Sequence, residues 1–97
     1  MTQNQQELNE IQQKIALGLD AEAFFRSDLG KYLLGRAEDD AIQAINELKE
    51  ISPTKTERIR TLQSTIARSE NFELWLKEAL IVGQSSEEQL DQMNRNE

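Results

Sequence analysis

The densest run of ionisable groups in this sequence is Glu38-Asp39-Asp40, three carboxylates in a row. Carboxylates at the right spacing can hold a hard cation or act as an acid–base pair. Consecutive helical residues, however, fan out by about 100° each, so these three cannot converge on one ion. Arg36 and Asp40 stand four apart, as do Glu22 and Arg26, and Glu73 and Lys77. That is the spacing of ordinary ion pairs along a helix surface. Gly30 to Gly35 is spaced like the opening of a phosphate-binding loop, but Arg36 and Ala37 replace the required Lys and Ser/Thr. Lys55, Arg58 and Arg60 cluster where a helix is expected to begin, and cations there oppose the helix dipole. Although Glu57 offsets part of their charge, these three are the candidate contact for an anion or an acidic partner.

Cysteine and histidine are both absent. The chain therefore lacks a thiol nucleophile, a thiolate metal site, and the commonest general base and metal ligand. Carboxylates, Lys and Tyr alone are a poor kit for catalysis, so no enzyme activity, no cofactor and no metal is expected. Five aromatic residues fall in two stretches, Phe24, Phe25 and Tyr32 in one and Phe72 and Trp75 in the other. They suit an end-cluster of a helical core. Any left exposed, with Phe25, Tyr32 and Trp75 as candidates, would suit a protein interface, where aromatics are enriched.

The charge pattern points the same way. The formal net charge is −7, carried mainly by the ends. Glu7, Glu10, Asp20 and Glu22 oppose only Lys14, and Glu87, Glu88, Asp91 and Glu97 oppose only Arg95. A nearly neutral middle between acidic ends is unsuited to nucleic acid, which needs clustered Lys and Arg. No apolar run is long enough to span a membrane. Met1 to Gln13 is rich in Gln, Asn and Glu, the opposite of a secretion signal, so a cytoplasmic location is expected.

These side chains must be positioned by helices, and the fold class expected is all-α. Leu8, Ile11 and Ile15 share one face of a first helix over residues 4–17. Gly18 stands where a C-terminal glycine would end it, with Asp20 as cap for a short turn through Arg26. Ser27 is a cap candidate for a second helix, residues 28–51, whose apolar stripe includes Leu33, Leu34, Ala37, Ala41, Ala44, Ile45 and Leu48. Gly30 and Gly35 inside it predict a close helix crossing. Ser52-Pro53 breaks the chain, and a third helix follows over residues 54–82. Its apolar positions include Ile59, Leu62, Ile66, Phe72, Trp75, Leu76 and Leu80, and Gly83 is its expected terminator. The short connection at Pro53 predicts an antiparallel hairpin of these two long helices, with the additional N-terminal helix packed across it. Residues 1–83 then form a single helical domain, frayed over its first few residues, and 84–97 a polar, acidic C-terminal tail.

Some apolar residues do not fit the hairpin seam. Ile42 and Ile45 are displaced from the Leu34–Ala41–Leu48 line, and Leu74 and Ile81 from the Phe72–Leu76–Ala79 line. Apolar faces wider than one stripe in so short a chain predict a protein partner, and self-association first among them. Phe25, Tyr32, Ile42, Leu74, Trp75 and Ile81 are thus the candidate interface residues.

The segments Leu17-Gly18-Leu19-Asp20-Ala21-Glu22-Ala23-Phe24-Phe25, Ser27-Asp28-Leu29-Gly30-Lys31-Tyr32-Leu33-Leu34-Gly35-Arg36-Ala37 and Trp75-Leu76-Lys77-Glu78-Ala79 together resemble a group of small helical proteins from tailed phages and prophages. The likeness covers residues 17–83 and leaves residues 1–16 and 84–97 outside. It rests on general helical residue types and carries over no catalytic residues. What it implies is a phage setting, with a part in virion assembly or as a virion component. A small regulator or inhibitor binding a host protein is the alternative.

Overall fold

The computed structural model describes residues 3–96, the side chain of Gln3 excepted, so Met1, Thr2 and Glu97, including the frayed start expected above, lie outside it. The described chain is all-α. Helix α1 spans Gln3–Arg26, α2 spans Asp28–Glu50 and α3 spans Thr56–Arg95. At 1.5 Å per residue the 40-residue α3 is about 60 Å long.

Two compact units divide the chain. One is residues 28–75, the other residues 1–27 together with 76–97. Residues of α3 belong to both.

In the first unit, α2 pairs with α3 up to Trp75. The five-residue connection is folded on itself: the Lys55 amide donates to the Ser52 carbonyl at 3.1 Å, and the Ser52 and Thr54 hydroxyls bond at 2.9 Å. Ile59 N–H donates to the Lys55 carbonyl at 3.0 Å, which starts α3 just after Pro53. Beyond this short link Arg58 of α3 reaches Glu47 of α2. Ala44 and Leu62 are buried at the seam, with Leu33, Ala37, Ala41, Leu48, Ile59 and Phe72 half-buried along it. Leu62, Thr65, Ser69 and Phe72 follow the alternating three-and-four spacing that keeps one helix face on a partner. Thr65 sits on that face because its hydroxyl is satisfied by its own helix, donating to the Thr61 carbonyl at 3.1 Å.

In the second unit, α1 meets the remainder of α3. Leu8, Ile11, Ile15, Gly18, Glu22 and Phe25 are buried or half-buried, again at alternating spacings of three and four. The matching α3 set is Leu76, Ala79, Gly83, Ser86, Leu90 and Met93. Gly18 and Gly83 touch where the helices cross: a Cβ built on Gly18 would lie 2.6 Å from the Gly83 Cα and 3.4 Å from the Ala79 carbonyl.

Here the structure departs from the sequence reading. Gly18 does not end a helix and Asp20 does not cap one, because α1 runs unbroken through both. Gly83 does not terminate α3, which continues to Arg95, and no described glycine takes a positive φ. Both glycines are small for the sake of a neighbour. Gly35, expected at a close crossing, has nothing within 4 Å of where its Cβ would stand. The break between α1 and α2 falls at Ser27, whose amide and hydroxyl both donate to the Phe24 carbonyl, at 3.1 and 2.7 Å.

Candidate protein-interaction groove

A shallow groove of about 360 Å³ with a mainly apolar lining lies between α2 and α3 in residues 28–75. Leu33 and Phe72 line one end, Asp40 and Thr65 the other, with Ala37 and Ser69 between. The small side chains at the middle leave the hollow. Arg36 and Arg68 bring a guanidinium from each helix to its rim. Hydrogen bonding with the Tyr32 phenol, and more weakly the charge of the Asp40 carboxylate, raises the Arg36 pKa.

Helical spacing carries the rim further. Leu29 and Tyr32 lie one turn before Leu33 and Arg36, and Trp75 lies one turn beyond Phe72. All three are exposed, Tyr32 at 62% and Trp75 at 63%. An aromatic side chain left that open on each helix, beside an apolar floor, is the composition of an interface anchor. No protein-family model, curated protein or solved structure matches the chain. The groove therefore has to be read from its own chemistry.

Of the interface candidates none lines the groove itself, and Tyr32 and Trp75 stand one helical turn from its lining residues Arg36 and Phe72. Trp75, also expected on the core stripe, is not part of it. Ile42 is exposed on the other flank of α2, and Leu74 is exposed about 100° around α3 from Trp75. Ile45, expected on the core stripe as well, is exposed beside Ile42. Phe25 and Ile81 belong to the other unit, the first half-buried and the second exposed.

The basic candidates do not all face one way, although Lys55 and Arg58 both lie near Glu47. Arg58 makes a two-pronged pair with Glu47, its Nε at 2.6 Å and a terminal nitrogen at 2.8 Å from the two carboxylate oxygens. This contact lowers the Glu47 pKa and raises that of Arg58. Arg60 stands two residues on, about 200° around the helix, and Lys55 precedes the helix altogether. Among the described residues no group of acidic side chains is arranged to hold a metal ion, and no helix is long and apolar enough to cross a membrane.

Sequence reasoning missed Arg68, Thr65 and Ser69. The signal was the short connection at Pro53, which fixes the helix register and so sets Leu33 against Phe72 and Asp40 against Thr65.

Proposed function

We propose that this chain is a non-catalytic protein-binding protein and that the groove between α2 and α3 is where it holds its partner. The observation carrying this reading is the exposure of Tyr32 and Trp75 beside an apolar floor with an arginine on each side. A helical or extended segment bearing a large apolar residue and an acidic one fits those features. The apolar residue would enter between Leu33 and Phe72, and the acid would meet Arg36 or Arg68. The likeness of residues 17–83 to tailed-phage proteins supports a setting in the host cytoplasm, in virion assembly or as a virion component. A regulator that binds a host protein would use the same groove.

The test is location combined with substitution. A virion or assembly component co-purifies with particles or their precursors at fixed copy number, and Tyr32→Ala with Trp75→Ala abolishes that association while leaving the helical circular dichroism intact. A chain found only free in cells making particles points to the regulator. Association unaffected by both substitutions removes the groove from the account.

A further inference from the structure

We propose that a second copy of this chain docks antiparallel along the outer flank of α2, through Ile42 and Ile45. The face is set by helical spacing. Glu38, Ile42, Ile45 and Lys49 follow one another at steps of four, three and four, and so form a single narrow stripe. All four are exposed, Ile42 at 48% and Ile45 at 39%, so the packing against α3 leaves this stripe uncovered.

The order of charges identifies the occupant. Pairing the stripe with its own copy about a two-fold axis between residues 43 and 44 places each Ile42 against the other copy's Ile45. The same operation sets each Glu38 against the other copy's Lys49, twice over. Parallel pairing would instead oppose glutamate to glutamate and lysine to lysine. The stripe is therefore complementary to itself in one orientation only, which is the requirement of a two-fold interface. Glu38 and Lys49 enter no ion pair among the described residues, so neither has a contact to give up.

The stripe is short, so the pair sits at the small end of interface sizes and associates weakly. Its flank is turned away from the groove, so the groove reading and this one fail separately. The experiment is sedimentation equilibrium of the full chain at physiological ionic strength, from about 10 µM to about 1 mM, the range in which small interfaces associate. The expected result is a mass rising with concentration from 11.2 kDa toward twice that value. Ile42→Glu should weaken association about tenfold or more, and Glu38→Lys and Lys49→Glu should each weaken it several-fold, with circular dichroism unchanged. The double variant Glu38→Lys/Lys49→Glu should restore it. A chain that stays monomeric at the highest concentration overturns the proposal. So does association indifferent to Ile42→Glu, or a double variant no better than either single one.

Discussion

Gly18 and Gly83 meet backbone to backbone, each occupying the space that a Cβ on the other would need. Replacing Gly83 by Ala would put a methyl 2.5 Å from the Gly18 Cα and 3.2 Å from the Lys14 carbonyl. Backbone atoms cannot swing aside, so the helices must separate, and the contacts of the neighbouring half-buried Ala79 and buried Ser86 are lost.

Gly83→Ala and Gly18→Ala should therefore destabilise the protein by about 1–3 kcal/mol, the usual range for overpacking. Gly35→Ala, made in open space within α2, should instead be neutral or stabilise by up to about 1 kcal/mol through helix propensity. Urea unfolding at low micromolar concentration compares the three. Equal effects at all three sites would mean that helix propensity alone governs them.

Removal of residues 84–97 should cost the protein its α1 packing. The sequence reading treats this segment as a polar, acidic tail, but Ser86 is only 4% exposed and Leu90 and Met93 are half-buried on the α3 stripe. Without them Leu8 and Ile11 lose their apolar surroundings. Circular dichroism of the truncated chain should show a helical loss well beyond the residues deleted. A loss no larger than the deleted residues themselves would restore the tail interpretation.

These two cases mark what the sequence made legible. The all-α class, the break at Ser52-Pro53, and the start of α2 at Asp28 all follow from local chemistry, and the structure has them. The faces of α1 and α2 were also readable, because Ile11 and Ala44 repeat at helical spacing with their neighbours. What could not be read locally was the meaning of Gly18 and Gly83. A glycine that ends a helix and one that admits a neighbouring backbone have the same side chain, and only the crossing partner tells them apart. The groove was hidden for a related reason: Arg68 and Ser69 look like ordinary surface residues until the register of α2 and α3 is known.

The Glu47–Arg58 pair should leave a pH signature. Its hydrogen bonds depress the Glu47 pKa in the folded chain. The pair's contribution is therefore complete above the unfolded-state value of a glutamate and is lost as pH falls through the depressed folded one. Arg58, raised in turn, adds nothing to pH dependence in the working range. Carbon-detected NMR titration should find Glu47 titrating below the usual range of a glutamate, and Arg58→Ala should return it to that range. Both side chains are well exposed, so the effect on overall stability should be small.

Trp75 is the single tryptophan, which makes it a direct reporter of the groove. Its emission should be that of a solvated indole, freely quenched by acrylamide in the free protein. A partner seated on the rim should shift that emission to the blue and protect it. An indole already shielded in the free protein would withdraw Trp75 as an anchor.

The division of α3 has a consequence during synthesis. Residues 28–75 pair α2 with the next helix across five residues, a local closure that can occur early. By contrast, α1 emerges from the ribosome first and finds its partner only when residues 76–95 have been made. Throughout that interval the Leu8, Ile11 and Ile15 stripe is open to water and to other nascent chains. The Gln, Asn and Glu residues that surround this stripe from Gln3 to Gln13 are suited to that wait, since they keep the segment soluble until its other half arrives.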